Sequence, residues 1–382
     1  RIRNDRDLVL STSTQLATGT NLDLSGARNT EQTFEEEEDF GLFAQQEINF
    51  EDKIIVTGGI RLDKSTLNGD PNRFYAFPKA SIAFNLTEFG LFSNTNVVSL
   101  LKLRFAWGQT GSSPQFGATF TSLGANSYLG NNTLTIGSQL GQQEIEPETA
   151  NEFETGVDFA LFNNRISVEA TYYNRQVNDL ILERALPSSS GFTTQFGNFG
   201  DLRNQGIEVA VNALIFQKPN FSWSVTWNTW KNVSEITRLD VPAFAPAGSA
   251  FGLGLGSFFI EEGATVTQLV ATANDGSNLK VGDAEPDFQM GLFNTFTIFK
   301  NLEIRFLWHW KQGYEVLNLS RLLTDIGRTT PDFAENGEAR SNGEGVDAFA
   351  QGYIEDGSYL RLREVAVYYT LPRNFVKNAF GN

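Results

Sequence analysis

Polar and apolar residues alternate along this chain in segments that recur from one end to the other. In Phe221–Asn228 the odd positions carry Phe, Trp, Val and Trp, while the even positions carry Ser, Ser, Thr and Asn. Successive side chains of a β-strand point to opposite faces, so this pattern predicts a strand with one apolar and one polar face. The alternation returns in Leu101–Gly108, Arg165–Tyr172 and Leu302–Trp310, and more weakly in 42–50, 54–63, 80–86, 152–161, 206–214 and 291–299.

The connections between these segments also alternate, between tight turns and long polar stretches. The tight turns are predicted at 51–52, 162–164, 217–220 and 300–301, and the long stretches near 111–147, 184–196, 234–286 and 318–356. Short turns at one end and long loops at the other are typical of an antiparallel barrel in an outer membrane, whose long loops are extracellular. We therefore predict an all-β fold, a transmembrane antiparallel β-barrel domain over 1–382 with about twelve strands.

Composition excludes several other classes of protein. The formal charge is −16 and no run of five basic residues occurs, which argues against nucleic-acid binding. Zero Cys excludes disulfides and thiolate chemistry. No apolar stretch approaches the roughly eighteen residues of a membrane-spanning helix. Met290 is the only Met, so Arg1 is interpreted as a processing site or as a cut through a longer protein.

The same alternation would suit a soluble β-sandwich or propeller. Lipid is favoured because the apolar faces lack charged residues, which at mid-bilayer would cost about 2–4 kcal/mol. Aromatic residues also gather near strand ends, as at a membrane interface. The alternative is a soluble secreted β-rich protein that binds or hydrolyses carbohydrate.

The last alternating segment changes phase. In Tyr359–Tyr369 the apolar phase of Leu360 and Leu362 is replaced by that of Val365 and Val367. One extra residue would restore the register, so a β-bulge is predicted near Arg363 and Glu364.

Six segments of the chain together carry a resemblance to a known family. They are FPKASIAFNL (Phe77–Leu86), LKLRFAWGQTGSS (Leu101–Ser113), ETANEFETGVDFALFNNRISVEATYYNRQVNDLIL (Glu148–Leu182), GNFGDLRNQGIEVAV (Gly197–Val211), VGDAEPDFQMGLFNTFTIFKNLEIRFLW (Val281–Trp308) and DGSYLRLREVAVYYTLP (Asp356–Pro372). These segments resemble the SusC/RagA family of TonB-dependent outer-membrane transporters of Bacteroidota. The resemblance covers most of the chain from about Phe40 to Pro372, and the order and spacing of the segments follow the family.

This resemblance implies the C-terminal part of a large, 22-stranded barrel, with no plug domain in this chain. It implies TonB-dependent import of a nutrient, a glycan or a peptide, and neither enzymatic activity nor a cofactor. The implied partners are a SusD-like surface lipoprotein, outer-membrane lipid, and TonB–ExbB–ExbD acting through a plug region. The chain is interpreted as an internal fragment of such a barrel, and a complete twelve-stranded barrel is the alternative.

Aromatic side chains in the long stretches are candidates for substrate binding, because rings stack on sugars and on apolar peptide side chains. Packing of the loops against one another or against a lid is the alternative explanation. The candidates are Phe116, Phe120, Tyr128, Phe192, Phe196, Phe244, Phe251 and Phe333. Three polar residues of one predicted strand face, Glu303, Arg305 and His309, are expected to point into the lumen.

No residue pattern predicts a catalytic or metal site. His309 is the sole His and has no predicted partner for catalysis. The Gly-rich segment 252–256 lacks the context of a phosphate loop, and 275–278 lacks the EF-hand spacing. Carboxylates at Glu144, Glu146, Glu148, Glu261 and Glu262 could suggest a glycosidase pair, and 35–39 a cation site, but solvated loop charge is the preferred interpretation.

Overall fold

A computed structural model describes residues 2–13, 28–92, 97–129, 131–246 and 252–371. Within them, twelve antiparallel strands follow one another in chain order across a single sheet. We call this sheet the wall. Its strands are β1 (Ile2–Ser13), β2 (Arg28–Phe50), β3 (Ile54–Ser65), β4 (Tyr75–Asn85), β5 (Val98–Ser112), β6 (Glu148–Leu161), β7 (Ile166–Ala185), β8 (Thr194–Lys218), β9 (Phe221–Leu239), β10 (Phe288–Ile298), β11 (Leu302–Gln312) and β12 (Tyr359–Tyr369). The predicted all-β antiparallel fold is confirmed.

Tight turns join alternate strand pairs at one end of the wall. Glu51 and Asp52 have positive φ angles of 50° and 56° between β2 and β3, and 162–164 have angles of 53–63° between β6 and β7. Phe299 and Lys300 adopt the same conformation between β10 and β11. Consecutive residues with positive φ give the twist that a short hairpin turn requires. The connection 86–97 at this end contains the short 3-10 helix Leu86–Phe89.

One face of the wall is apolar across many strands. Phe105 of β5 lies opposite Ile82 of β4, and Trp227 of β9 lies opposite Val211 of β8 and Leu292 of β10. Rings of neighbouring strands stack here, with centroids 5.6 Å apart for Trp223 and Phe296. Such cross-strand pairs hold the sheet in register, because a slip of one residue would move every apolar side chain to the other face.

The connections at the opposite end, over 66–74, 113–147, 186–193, 240–287 and 313–358, are mostly longer and partly folded. Connection 113–147 contains the hairpin Leu123–Tyr128 with Asn131–Ile136, and 240–287 contains a three-stranded sheet. The remaining short elements are the strands Gln139–Leu140, Ser257–Phe258, Gln268–Thr272, Asn278–Asp283, Glu315–Leu317 and Ile354–Asp356, helices α1 (Leu319–Ile326) and α2 (Glu338–Ser341), the π-turn Phe333–Gly337, and 3-10 turns Ser188–Ser190, Leu253–Leu255 and Phe349–Tyr353.

The structure corrects one interpretation and confirms another. The acidic run 35–39 lies in β2, paired with β1, and not in a loop. Arg3 Nη2 is 3.3 Å from Glu36 Oε2, so charges of opposite sign across the two strands support pairing without an apolar face. At β12 the register shifts so that Leu307 pairs with Glu364 and Trp308 with Leu362, which leaves Arg363 as the predicted bulge.

None of the helices in the described part of the chain has both the length and the apolar character to cross a membrane.

Candidate functional site

The second face of the wall is polar and charged. On β5 to β8 it carries Arg104, Glu154, Asp158 and Glu208, on strands whose intervening positions form the apolar face. Arg104 Nη2 lies 2.7 Å from Asp158 Oδ1, across neighbouring strands, and 3.4 Å from Thr171 Oγ1. We call this surface the polar face. Its charges are partly exposed and partly paired, which suits contact with water.

A group of hydrogen bonds links the polar face to connection 240–287. Tyr173 of β7 donates to Asn232 Oδ1 of β9 at 2.8 Å. Gly206 makes this possible, because a Cβ there would lie 2.5 Å from the Tyr173 hydroxyl oxygen. Glu285, just before β10, accepts from the N–H and the hydroxyl of Ser234 at 3.0 and 2.9 Å. The end of connection 240–287 is therefore fixed to the wall.

The three polar residues predicted on one strand face do lie together on β11, on the polar face. Glu303 and Arg305 form an ion pair, and the Arg305 guanidinium lies 5.0 Å from the centroid of the Tyr368 ring. His309 Nδ1 is hydrogen-bonded to the Tyr359 hydroxyl at 2.9 Å. Their contact with a lumen stays a prediction.

Cations gather where β11 and β12 meet the long connections. His309 lies directly opposite Arg361, and Lys311 lies opposite Tyr359. Arg363, the bulge residue of β12, follows Arg361 by two positions. We call His309, Lys311, Arg361 and Arg363 the basic patch. Within the described residues no ion pair engages its three permanent cations.

Tyrosine rings take the place of carboxylates beside the basic patch. The Lys311 ammonium lies 3.6 Å from the centroid of the Tyr314 ring, and the Arg361 guanidinium 5.1 Å from that of Tyr359. Gly313, with φ of 72°, turns the chain between Lys311 and Tyr314. A ring attracts a cation without neutralising it, so the positive charge of the patch remains available.

The connections 240–287 and 313–358 pack together into one unit, which we call the loop body. The Asn274 N–H donates to the Asp347 carbonyl at 2.8 Å, and the Asp283 N–H donates to Glu315 Oε2 at 2.9 Å. Ala271, Ala348 and Ala350 form its buried core. The loop body therefore has internal packing of its own beside the wall.

A buried ion pair holds the second half of the loop body. Asp325, fully buried at the end of α1, accepts from Arg340 Nε at 2.8 Å and also from Thr330. Arg340 Nη1 donates to Asp332 Oδ2 at 3.0 Å. The hydrogen bond from Arg340 is the main reason that the pKa of Asp325 lies below its ordinary value, and burial followed by the charge of Asp325 raises the pKa of Tyr353 to about 12.

The candidate aromatic residues are spread over several connections. Phe116 and Phe120 form an edge-to-face pair with centroids 5.8 Å apart, and Tyr128 is 69 % exposed on its hairpin. The described parts of the connections show no ring contact among the other candidates, of which Phe192, Phe196, Phe244 and Phe333 are half-buried. Phe251 lies outside the described residues. Their role in binding stays a prediction.

Several carboxylates considered from the sequence have structural partners. Glu148 accepts from the Ile181 N–H at 2.7 Å, and Glu262 accepts from the Leu239 N–H at 3.1 Å. Glu146 forms an ion pair with Arg73. Over the described ranges, no group of three or more His, Asp or Glu side chains is arranged to hold a metal ion.

Sequence reasoning missed Lys311, Arg361 and Arg363. A signal was present in the alternation. Lys311 follows Trp310 at a position that faces away from the Trp rings, and Arg361 lies between Leu360 and Leu362. What could not be seen is that β11 and β12 pair in a register that brings these cations together.

Comparison with known proteins gives one family and several relatives. Residues 3–378 match the family model described as TonB dependent receptor-like, beta-barrel. TonB-dependent receptor P26 of Formosa agariphila is 27 % identical, over 86 % of this chain and 39 % of its own length. TonB-dependent receptor SusC of Bacteroides thetaiotaomicron is 24 % identical, over 83 % of this chain and 36 % of its own length.

Solved structures show the same fold. The RagAB peptide transporter superposes with a TM-score of 0.79 at 18 % identity, over 99 % of this chain and 46 % of that chain. The RagAB peptide importer in its closed-closed state gives 0.77 at 20 % identity. This chain therefore spans less than half the length of the relatives that it matches.

Proposed function

The chain belongs to the TonB-dependent receptor-like β-barrel family, and from that premise we propose that it forms part of the wall of an outer-membrane importer. The observation that carries the proposal is that most strands of one continuous twelve-stranded sheet share an apolar face and a polar face. The apolar face suits lipid and the polar face suits a hydrated passage. Family membership favours this function over the soluble carbohydrate-binding or hydrolytic alternative.

The long connections are proposed to lie outside the cell, and the tight turns in the periplasm. In outer-membrane barrels the longer loops are the extracellular ones. The loop body would then stand at the entrance, where the buried pair of Asp325 and Arg340 keeps part of it folded. Cargo would meet the loop body and the other long connections before it reaches the polar face.

The proposed cargo is a nutrient, a glycan or a peptide. RagAB, whose solved structures share this fold, is described as a peptide importer. The edge-to-face pair of Phe116 and Phe120, both about half exposed, provides apolar rings on connection 113–147. Rings of this kind stack on sugars and on apolar side chains alike. No bond of the cargo is broken in this proposal.

The proposed protein partners lie at the extracellular end of the barrel and at its periplasmic side. A SusD-like surface lipoprotein would cover the long connections, and TonB–ExbB–ExbD would deliver energy through a plug region inside the full barrel. A barrel of 22 strands is too wide for its own side chains to fill, so an importer of this size needs such a plug. Lipid would contact the apolar face.

Uptake by cells tests the importer. In the full-length protein, 113–147, 186–193, 240–287 and 313–358 are each replaced by a two-residue turn. We expect the protein to remain in the outer membrane, with heat-dependent migration in detergent gels, while uptake of a labelled nutrient mixture is lost. The matched control replaces the exposed Lys218 and Lys300 of the tight turns by Gln and should import normally.

Energy dependence completes this test. Deletion of TonB should abolish uptake by the unaltered protein to the same extent as removal of the long connections. Uptake that persists without the long connections, or without TonB, would contradict the proposal.

A further inference from the structure

We propose that the basic patch binds an anionic group of the cargo, a carboxylate or a sulfate. This inference rests on the proposed importer and names the chemistry of what it carries. The formal charge of the chain is −16, yet His309, Lys311, Arg361 and Arg363 gather on one part of the polar face. The patch is therefore a local reversal of the sign of the molecule.

Repulsion between the cations of the basic patch supports a role in binding an anion. Lys311 and Arg361 are diagonal neighbours across β11 and β12, and Arg363 follows Arg361 by two residues. Positive charges held this close together repel one another. Two other cations of the polar face form ion pairs, Arg104 with Asp158 and Arg305 with Glu303. An incoming anion would relieve the repulsion in the patch.

The surroundings of the patch suit a ligand that comes and goes. Arg361 and Arg363 are exposed, and His309 and Lys311 are half-buried. The rings of Tyr314 and Tyr359 lie beside the charged groups of Lys311 and Arg361. The flat guanidinium of an Arg can donate two parallel hydrogen bonds to a carboxylate or sulfate, and the Lys ammonium adds a point charge.

The location places the patch on the proposed route of the cargo. Lys311 lies one residue before the end of β11, and Tyr359 begins β12, so the 313–358 half of the loop body connects the two sides of the patch. A cargo with acidic groups would be drawn from the loop body to the wall by charge. Such steering raises the rate of encounter and fades as salt is added.

Binding by the purified full-length protein in detergent tests the patch. The probes are fluorescein-labelled hexaglutamate and hexaserine, measured by anisotropy, with unlabelled heparin hexasaccharide as a sulfated competitor. We expect hexaglutamate or the heparin fragment to bind about 10-fold more tightly to the unaltered protein than to Lys311→Gln/Arg361→Gln. Tight binding of hexaglutamate indicates a carboxylate as the preferred anion, and strong competition by the heparin fragment indicates a sulfate.

A control variant separates a site from a general change of charge. Lys218→Gln/Lys300→Gln removes the same two charges at the tight turns, at the opposite end of the wall, and should keep binding within about 2-fold. The proposal would be overturned if Lys311→Gln/Arg361→Gln bound the anionic probes as tightly as the unaltered protein. It would also be overturned if the unaltered protein bound neither hexaglutamate nor the heparin fragment. Heat-dependent migration shows that each variant is folded.

The importer and the patch fail in different ways. In one outcome, cells take up neutral nutrients through TonB while the purified protein binds hexaglutamate and hexaserine equally. This pair of results overturns the anion-binding proposal and supports the importer. If uptake is independent of TonB, the importer fails, and the purified protein still decides whether the patch binds anions.

Discussion

Arg340 in the loop body and the cations of the basic patch show two different uses of positive charge. Arg340 is held by two carboxylates, Asp325 and Asp332, and the first of these is fully buried. Lys311 and Arg361 instead have tyrosine rings beside them, and within the described residues they form no ion pair. The two regions are connected directly, because 313–358 joins β11 to β12.

The difference follows from the cost of removing charge from water. A buried carboxylate must be paired, since leaving it alone costs several kcal/mol, whereas a cation on a hydrated surface carries no such requirement. The pair of Arg340 and Asp325 therefore stabilises the fold of the loop body, whereas the cations of the basic patch remain available to a ligand.

The largest effect is expected from Arg340→Met. Asp325 would stay buried without its cation, which should destabilise the loop body by about 3–5 kcal/mol. Hydrogen exchange of the amides of α1 and α2 measures the loss. The control is Arg321→Met, whose exposed pair with Glu355 should be worth less than about 1 kcal/mol. Equal exchange in the two variants would contradict the comparison.

The next effect is expected from reversal of the charge of the patch. In Lys311→Glu/Arg361→Glu the preferred peptide should change from hexaglutamate to hexalysine, with hexaglutamate weakened by about 2 kcal/mol, or roughly 30-fold. Anisotropy of both labelled peptides at 50 and 500 mM salt measures it. An unchanged preference would show that the patch does not choose the cargo.

A smaller effect is expected when the pH is lowered. Asp325 has a lowered pKa in the folded protein, chiefly through its hydrogen bond from Arg340. Its contribution to stability is therefore present above the ordinary pKa of an Asp, about 4, and is lost as the pH falls through the lower folded value. Protease cleavage within 313–358 should rise below about pH 4. In Asp325→Asn this dependence should be weaker, and an unchanged profile would contradict the assignment.

The smallest effect is expected from Tyr314→Leu. This change removes the ring from Lys311 and keeps an apolar side chain in its place. A cation–π contact at a partly exposed site is worth about 0.5–1 kcal/mol, so hexaglutamate should bind roughly 2-fold to 5-fold more weakly. Tyr369→Leu, exposed at the other end of β12 and on the apolar face, is the control. Equal effects of the two changes would argue against a role for the ring.

Local patterns in the sequence are enough to predict much of the wall. Alternation in 221–228 and 302–310 predicted β9 and β11, and the change of phase in 359–369 predicted the bulge at Arg363. These features depend on neighbours in the chain, which the sequence displays directly. β1 was not predicted, because its polar pairing with β2 provides no apolar face to recognise.

The loop body and the basic patch could not be predicted in the same way. Asp325 and Arg340 lie in a stretch without periodicity, and their pairing depends on how α1 packs against the following turns. The patch requires the register of β11 against β12, which only the folded sheet defines. Long-range packing of this kind leaves no local pattern.

In the proposed importer, one face of the wall meets lipid and the other meets water. This chain has no Cys, and any Cys elsewhere in the full-length protein is first changed to Ser. Single cysteines then carry a bimane fluorophore at Phe105 and Val225 on the apolar face, and at Ala106 and Ser224 on the polar face. In vesicles that contain brominated lipid, the full-length protein should show strong quenching at Phe105 and Val225 and little at Ala106 and Ser224. Equal quenching at all four positions would contradict the claim.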